Sequence, residues 1–274
     1  MERDLEQLDP TAVSDVEDRL RLDGESVLVT GAANGMGRVV AFTFAAAGAN
    51  VAISDRLADD LSDTAREIRD SFDVDVAAIE ADVSDADAIA ALVESTVEAL
   101  GDLDVLLNVA GVSTFDKTAE LDEKHWDLVQ DVNLRGAFVA ARESFPHLRD
   151  GGRIVNVSSI AGIYGSSTMS HYGAAKAGVR NLTKSLANEW AEHNVRVNAV
   201  APGPTLTPGA FDVLEGASEA AYDRERIDRD VGSPAEIADT MLFLASPLAS
   251  NVSGETVRVG GPPPTQEDVS VARK

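Results

Sequence analysis

The sequence predicts a single α/β domain in which seven parallel strands form a doubly wound sheet with helices on both faces. Two observations support this prediction. Short apolar runs alternate with amphipathic helical stretches from about residue 27 to residue 260, a pattern typical of βαβ units. No internal repeat or shift in composition divides the 274 residues, and one α/β domain can reach roughly 250 residues.

The individual elements follow from these runs. The predicted strands are residues 27–31, 50–54, 76–80, 105–108, 153–157, 196–200 and 256–259. The predicted helices are residues 35–47, 59–72, 85–100, 122–145, 171–193 and 234–244. The last helix has the clearest start, because Ser233, Pro234 and Glu236 occupy the N-cap, first and third positions of a capping box.

The two ends and one long connection lie outside this alternation. Residues 1–22 form an acidic N-terminal extension, residues 23–261 the folded domain, and residues 262–274 a C-terminal tail that begins with three prolines. The connection between the sixth strand and the last helix spans about residues 204–230 and is rich in proline, glycine and charge. Connections this long in a compact domain are usually functional, so we expect a lid over a binding site.

The composition excludes several classes of protein. With 23 basic and 47 acidic side chains the net charge is −24, which excludes binding to nucleic acid through a basic face. Hydrophobic residues make up 44% of the chain, and this excludes a disordered acidic polymer. The absence of cysteine excludes disulfides, thiolate zinc sites and cysteine nucleophiles.

The sequence also favours a cytoplasmic protein. Its N-terminus, MERD, lacks the basic start and apolar run of a signal peptide. The longest stretch without charged side chains, residues 154–175, is too polar to span a membrane. Molar salt shortens the screening length to about 3 Å and relieves self-repulsion. Because the chain has 5 lysines against 18 arginines, we favour a salt-rich cytoplasm, as in halophiles, over an ordinary acidic protein.

A glycine-rich turn, TGAANGMG at residues 30–37, joins the first strand to the first helix. Gly31 permits the tight turn, Gly35 lets the backbone approach a pyrophosphate, and Gly37 allows close packing of the helix on the sheet. The helix N-terminus supplies free N–H groups and a partial positive charge. This context predicts a Rossmann-type dinucleotide site, with contacts from Gly31, Asn34, Gly35, Met36 and Gly37.

The end of the second strand bears on the choice of cofactor. Asp55 lies 18 residues after Gly37, where a carboxylate accepts the ribose hydroxyls and repels a 2′-phosphate. NAD is therefore favoured over NADP. Arg56 follows directly and would bind a 2′-phosphate if it turned inward. A solvated turn aspartate is the alternative for Asp55.

A tyrosine and a lysine form the candidate catalytic pair. Tyr172 and Lys176 are four residues apart in a predicted helix, so they share one face. A nearby ammonium favours phenolate over phenol and lowers the tyrosine pKa toward the working range of a general base. A chance surface pair is the alternative when this motif stands alone.

Together with the glycine turn, this pair resembles the short-chain dehydrogenase/reductase family in its single-domain form, and the resemblance covers residues 24–261. It implies that Ser159, 13 residues before Tyr172, is the catalytic serine, with Ser158 as its neighbour. It also implies that Asn133 helps to hold a proton-relay water. The further cofactor contacts implied by the resemblance are Asp82, Val83, Asn108, Ala110, Gly111, Tyr172, Lys176, Pro202, Gly203, Thr205 and Thr207.

Two positions depart from the family pattern. Val109 stands where the family has a second asparagine, a change that affects sheet packing more than chemistry, and Pro204 removes one N–H donor beside the nicotinamide. The mechanism implied by the resemblance is otherwise complete. Ser159 binds the substrate oxygen and Tyr172 transfers its proton. Lys176 lowers the tyrosine pKa and binds the nicotinamide ribose, and the water held by Asn133 links the lysine to solvent.

The four histidines show no metal-ligand spacing. We expect His125, His147, His171 and His193 to be surface or cap residues, although His171 adjoins Tyr172 and is a candidate substrate contact. The acidic pairs at residues 59–60 and at 85 and 87 suit helix starts, where carboxylates complement the dipole. We therefore predict no metal site.

The predicted function is NAD-dependent hydride transfer between nicotinamide and a secondary alcohol or ketone. Hydroxyl-bearing residues within 160–171 favour a small polyhydroxylated substrate, meaning a sugar, sugar acid or polyol. Apolar residues in the expected lid leave a 3-oxoacyl thioester open, although the acidic surface disfavours an acidic carrier protein. An alternative of another class is a non-catalytic NAD-sensing regulator on the same fold.

Family members usually pair two long helices into dimers or tetramers, and the matching helices here carry Phe138, Phe145, Leu182, Leu186 and Trp190. We predict a homotetramer, with a homodimer as the alternative. Size-exclusion chromatography in molar salt should therefore show a multiple of the 28.8 kDa chain. Elution at the mass of one chain would contradict the prediction.

Overall fold

The computed structural model describes residues 16–148, 150–207, 225, 227 and 231–262. Seven strands form one parallel sheet in the order β3-β2-β1-β4-β5-β6-β7, which confirms the predicted fold class. Strands β1 to β3 are added toward one edge of the sheet and strands β4 to β7 toward the other. Doubly wound sheets bind ligands beside the point where this order switches, here between β1 and β4. The strands are β1 Ser26–Thr30, β2 Asn50–Asp55, β3 Val76–Glu80, β4 Val105–Asn108, β5 Arg153–Val157, β6 Arg196–Pro202 and β7 Thr256–Val259.

Eight α-helices cover the two faces of the sheet in the described ranges. They are α1 Gly35–Ala46, α2 Ala58–Ser71, α3 Ala86–Leu100, α4 Glu123–Gln130, α5 Gly136–Ser144, α6 Ala161–Tyr164, α7 Ser170–Glu189 and α8 Pro234–Ala245. The predicted helix over 122–145 is interrupted, because Asp131–Arg135 form a π-helical turn between α4 and α5. The short helix α6 was not expected from the sequence.

The core consists of two apolar layers, one on each face of the sheet. Val27 and Val29 of β1 belong to the layer packed by α1, α2 and α8, whereas Leu28 belongs to the layer packed by α3, α5 and α7. All five residues of β1 are buried. A parallel strand covered on both faces is therefore apolar at successive positions, which is why the strands were recognisable as continuous runs.

The helix starts follow the predicted chemistry. Ser233 and Glu236 form the capping box of α8, and the Asp85 carboxylate accepts two backbone N–H groups at the start of α3. No helix within the described ranges has the length and apolarity needed to cross a bilayer.

The predicted domain ends need one correction. Leu22, which the sequence pattern places in the N-terminal extension, is 1% exposed and packs in the core. Its N–H donates to the Ala47 carbonyl at the end of α1, so the folded domain begins before residue 23. Most of the extension, most of the expected lid at 204–230 and residues 263–274 of the tail lie outside the described residues.

Arg196 joins the amino end of β6 to the end of α8. Its guanidinium donates to the carbonyls of Leu244, Ala245 and Ser246 at 2.6, 3.1 and 3.1 Å. Carbonyls at a helix C-terminus lack a following helical turn to bond; the Arg196 side chain donates to three of them, of which only the Ser246 carbonyl also accepts a described backbone N–H, that of Ala249.

Replacing this guanidinium should destabilise the domain. We expect Arg196→Met to lower the free energy of unfolding by roughly 2 kcal/mol, because charged hydrogen bonds are lost and carbonyls are left unsatisfied. Urea denaturation measures the change. Arg66→Met, which removes an exposed arginine that pairs with Asp63 of the same helix, alters the net charge equally and should change stability by less than about 0.5 kcal/mol. Equal losses in the two variants would contradict the assignment.

Candidate active site

A cleft of about 450 Å³ opens at the carboxyl ends of the central strands. It extends from the glycine turn after β1 to the first two turns of α7. Fourteen predicted site residues line it: Gly31, Asn34, Gly35, Met36, Gly37, Asp55, Arg56, Asp82, Val83, Ala110, Gly111, Tyr172, Lys176 and Thr207. The cleft therefore brings together residues that are far apart in the sequence.

The glycine turn packs directly on the residues after β4. Gly31 has a φ of +72°, and a Cβ there would lie 2.6 Å from the Ala110 Cα. A Cβ on Gly37 would overlap the Gly31 carbonyl oxygen. The Thr30 hydroxyl accepts the N–H groups of Val109 and Ala110 at 3.1 and 3.3 Å. A side chain at Gly31 or Gly37 would collide with these backbone atoms, so the close packing of the turn requires glycine at both positions.

The start of α1 fits the pyrophosphate of a dinucleotide. Asn34 at its N-cap makes no side-chain capping bond, and the first turn contains no acidic residue. The N–H groups and positive dipole end are thus left for an anionic ligand. The starts of α3 and α8, in contrast, are capped by Asp85 and Ser233.

Asp55 is bound to the glycine turn. Its carboxylate oxygens accept the N–H groups of Ala33 at 3.1 Å and Leu57 at 3.2 Å. Each oxygen keeps a second lone pair for a ribose hydroxyl. The aspartate is therefore an anchor of the turn as well as a candidate ribose ligand, and the alternative of a merely solvated aspartate does not describe it.

Arg56 is exposed and lies beside Asp82. Hydrogen bonds from the Ser84 N–H and hydroxyl lower the pKa of Asp82, and the positive charge of Arg56 lowers it further. Asp82 therefore remains ionised at the cleft wall. Arg56 lies on the cleft side of the β2 end, so the residue that would favour a 2′-phosphate is within the site.

The two adjacent serines have different positions. Ser158 is buried, and its hydroxyl donates to the Lys176 carbonyl at 2.8 Å. Ser159 is half-buried, accepts the Ala161 N–H at 3.1 Å and hydrogen-bonds the side chain of Tyr172. Ser158 thus ties β5 to α7, whereas Ser159 presents its hydroxyl beside the tyrosine.

Lys176 is 2% exposed, and its ammonium donates to the Val157 carbonyl at 2.8 Å. Its Nζ lies 5.7 Å from the centre of the Tyr172 ring. Burial lowers the pKa of Lys176 to about 8. Burial also raises the pKa of Tyr172, and the hydrogen bond with Ser159 opposes this rise. The direction for the tyrosine is opposite to the expected one, because desolvation of the phenolate outweighs the neighbouring donor.

Asn133 lies in the π-helical turn, is buried and is not among the residues that line the cleft. Its Nδ2 donates to the carbonyls of Val112 and Val129 at 2.8 and 2.9 Å. Its Oδ1 is buried and has no hydrogen-bond partner among the residues that the structure describes. A Cβ on Gly111 would lie 2.8 Å from this oxygen and 3.5 Å from the Lys176 Nζ. Because Gly111 has no side chain, the space between the Asn133 oxygen and the Lys176 ammonium stays open.

Asn108, which the sequence predicts as a cofactor contact, is not among the residues that line the cleft. Its Nδ2 donates to the Asn156 Oδ1 at 2.9 Å and to the Ala137 carbonyl at 3.3 Å, and Asn156 donates in turn to the Thr183 hydroxyl at 3.0 Å. This buried row joins β4, β5 and α7. The side chain has a structural role because a buried amide must satisfy its donors.

The loop after β6 provides only part of the predicted contacts. Thr207 lines the cleft, whereas Pro202, Gly203 and Thr205 are not among its lining residues. The Thr205 hydroxyl donates to the Gly203 carbonyl at 2.9 Å, so the loop closes on itself. Residues that sequence reasoning missed are apolar or small and follow recognised motifs: Leu57, Ala81, Val109, Val112, Ser113, Leu128, Val132 and Val157.

His171 is not a surface or cap residue. It is fully buried, and its Nε2 lies 2.7 Å from the Thr114 hydroxyl. The other three histidines are exposed or half-buried. Within the described ranges, no group of three or more acidic or histidine side chains is arranged to hold a metal ion.

Comparison with known proteins identifies the family. A family model described as enoyl-(acyl carrier protein) reductase matches residues 31–261. The 3-oxoacyl-[acyl-carrier-protein] reductase FabG of Thermotoga maritima is 39% identical over 244 residues, covering 88% of this chain and 98% of that protein. The trans-4-hydroxycyclohexanecarboxylate dehydrogenase of Sinomonas cyclohexanicum is 37% identical over 247 residues, covering 88% of this chain and 93% of that protein.

A solved structure agrees with these relatives. The short-chain dehydrogenase/reductase from Brucella melitensis described as a glucose/ribitol dehydrogenase superposes with a TM-score of 0.81 at 32% identity, covering 87% of this chain and 96% of that one. The family match spans the sheet, the glycine turn and the Tyr172–Lys176 helix. The chain therefore belongs to the short-chain dehydrogenase/reductase family, and it is an oxidoreductase that acts on hydroxyl or keto groups.

Proposed function

We propose that the protein transfers a hydride between NAD(H) and a secondary alcohol or ketone on a small hydroxylated substrate. The observation that carries the proposal is that Tyr172, hydrogen-bonded to Ser159, and Lys176 line one end of a cleft whose other end is the uncapped start of α1. This arrangement combines a dinucleotide site with a proton donor. Hydride chemistry needs both.

The residues of the chain divide the work at the substrate oxygen. The Ser159 hydroxyl donates a hydrogen bond to that oxygen, and the Tyr172 phenol gives it a proton in reduction or takes one in oxidation. When bound, the nicotinamide supplies or accepts the hydride. Lys176 would hold the nicotinamide ribose, and its ammonium would favour the phenolate once the site is assembled. The Asn133 Oδ1, which has no partner among the described residues, is suited to accept a hydrogen bond from a water beside the ammonium.

Asp55 supports NAD as the cofactor. Its carboxylate is held in place by the N–H groups of Ala33 in the glycine turn and of Leu57 after β2, and a fixed negative charge at the ribose repels a 2′-phosphate. The exposed Arg56 favours NADP if it swings from Asp82 toward the ribose. We assign NAD because the aspartate is positioned by hydrogen bonds and the arginine is exposed.

The lining of the cleft supports the proposed substrate class. Ser113 and Thr207 add hydroxyls to the lining, which suits a compact substrate with several hydroxyl groups. The similarity to proteins described as acting on glucose, ribitol and a hydroxycyclohexanecarboxylate supports a sugar, sugar acid, polyol or cyclic hydroxy acid.

A 3-oxoacyl thioester is the second candidate. The 39% identity to a 3-oxoacyl-[acyl-carrier-protein] reductase supports it. So do three apolar side chains on segments next to the site, Phe115, Tyr164 and Leu206, which are 57%, 48% and 37% exposed. A net charge of −24 opposes docking of an acidic carrier protein at low salt.

Absorbance of reduced nicotinamide in concentrated KCl tests the proposal. The panel contains sugars, sugar acids, polyols, hydroxycyclohexanecarboxylates and 3-hydroxyacyl thioesters, each with NAD and with NADP. We expect NAD-dependent turnover of one hydroxylated class, and a fall of roughly 10²–10⁴-fold in kcat for Tyr172→Phe. The variant should still bind NADH, measured by fluorescence. Turnover of thioesters alone would establish the second candidate, NADP preference would overturn the cofactor assignment, and NADH binding without turnover would refute catalysis.

The charge state of Lys176 can be tested through stability. Its pKa in the folded chain is about 8 against 10.5 for an ordinary lysine, so between these values the unfolded chain binds more protons. Stability of the cofactor-free protein should therefore rise with pH, by roughly 2 kcal/mol from pH 7.5 to 9.5.

Urea denaturation at the two pH values measures this rise. Lys176→Met should lack it, because the variant has no buried ammonium to discharge. Lys184→Met, which removes an exposed lysine of the same helix, should keep it. A rise of equal size in both variants would show that another group is responsible.

A further inference from the structure

The segment after β4, residues 112–118, is hydrogen-bonded to the start of α7. The Asp116 N–H donates to the Thr168 carbonyl at 2.8 Å, and the Thr118 hydroxyl donates to the Ser170 hydroxyl at 2.9 Å. The Thr114 hydroxyl lies 2.7 Å from the His171 Nε2. We name this set of three bonds the clamp. The clamp joins two elements that contribute to the cleft. Ser113 of residues 112–118 lines the cleft, and Tyr172 of α7 directly follows His171.

The hydrogen bonds of Thr114 determine which nitrogen of the His171 imidazole carries the proton. The Thr114 hydroxyl has one proton, which it donates to the Asp116 carboxylate at 2.6 Å. Its oxygen must then accept from His171, so the imidazole carries its proton on Nε2. Nδ1 is buried without a partner in the described part of the chain, which suits the unprotonated nitrogen of a neutral ring.

The network continues from the buried histidine to the surface. The Asp116 carboxylate also contacts the His125 Nδ1 at 3.1 Å. The hydrogen bond from Thr114 lowers the pKa of Asp116, and the contact with His125 lowers it further. An ionised carboxylate is the acceptor that the Thr114 hydroxyl needs. The threonine is therefore oriented from both sides, by Asp116 and by His171.

The backbone at the same place is strained. Thr168 has a φ of +64°, a left-handed conformation that is unusual for a β-branched residue. Its carbonyl is the one that accepts the Asp116 N–H. Strain of this kind persists only where surrounding contacts determine it, and it is concentrated at functional sites. Gln130 of α4 also bonds the start of α7, because its amide donates to the His171 carbonyl at 2.8 Å.

We propose that His171 is a positioning residue for the reaction, which acts through Thr114 to hold residues 112–118 at a set distance from Tyr172. Its imidazole is fully buried, so it does not contact the substrate. It acts through residues 112–118, which form one wall of the proposed substrate site. The inference rests on the proposed function, because that wall has a role only if a substrate binds beside Tyr172. The glycine turn and Asp55 lie on other elements, and the three clamp bonds involve neither Ala110 and Gly111 nor Lys176, so the clamp should change NADH affinity little.

Single and double variants test this coupling. His171→Leu and Thr114→Val should each lower kcat/KM for the substrate about tenfold, mainly by raising KM, and the double variant should be no worse than the worse single variant. His171→Gln keeps an N–H donor and Thr114→Ser keeps the hydroxyl, so both should remain within about threefold of the parent protein. The Kd for NADH should stay within about twofold throughout.

The control and the contradicting results are equally specific. Thr240→Val removes a threonine hydroxyl that donates to the Glu236 carbonyl on α8 at 2.8 Å, and it should leave all kinetic constants unchanged. Activities are compared well below each variant's melting temperature. Additive losses in the double variant, a parallel loss of NADH affinity, or failure of the Gln and Ser variants to retain activity would overturn the proposal.

Two measurements on the full chain need no substrate. ¹⁵N NMR of the imidazoles at pH 7.5 should show His171 neutral and protonated on Nε2. Exchange of the Asp116 amide should be protected in the parent protein and at least tenfold faster in His171→Leu. A cationic or Nδ1-protonated His171, or unchanged exchange, would overturn the clamp. If no substrate is turned over, the proposed function fails while these two measurements still decide the clamp.

Discussion

The packing of the Gly31 turn against Ala110 is the contact on which the cleft depends. It lies at the centre of the sheet, where β1 and β4 are neighbours and the connections leave in opposite directions. The absence of side chains at Gly31 and Gly37 lets the turn lie close enough for the Thr30 hydroxyl to bond the backbone after β4. One close approach of two backbones thus sets both the shape of the dinucleotide site and its distance from α7.

A second constraint is the burial of polar groups around that contact. Lys176, Asn133 and the Asn108–Asn156 pair are buried, and each requires partners because an unsatisfied buried polar group destabilises the fold. Asn108 and Asn156 satisfy each other and thereby join two strands to α7. Lys176 has one protein acceptor, and the Asn133 oxygen has none among the described residues. Of these groups Lys176 lines the cleft, and the Asn133 oxygen lies close to the same face of Gly111 as the Lys176 Nζ.

Much of the fold could be predicted because the local pattern and the tertiary environment agree. Strands buried on both faces appear as continuous apolar runs, and six of the predicted helices correspond to observed ones despite the π-helical break at Asp131–Arg135. The break could not be predicted, because a single π turn of five residues changes the spacing of apolar residues too little to be recognised. The burial of His171 was not predicted for a related reason: the hydroxyl that its imidazole contacts belongs to Thr114, 57 residues earlier in the chain.

The sequence by itself determined the order of strands and helices along the chain, the glycine turn and the spacing of Ser159, Tyr172 and Lys176. Each of these features depends on residues that are close in sequence or on a combination of residue types that is uncommon outside such sites. Only the tertiary structure decided which polar side chains face the cleft. Asn108 was expected there and points into the sheet, whereas Leu128 and Ser113 line the cleft without a local signal. The physical reason is that a side chain's partners, and the desolvation that sets the pKa of Lys176, come from elements distant in sequence, and only packing brings them together.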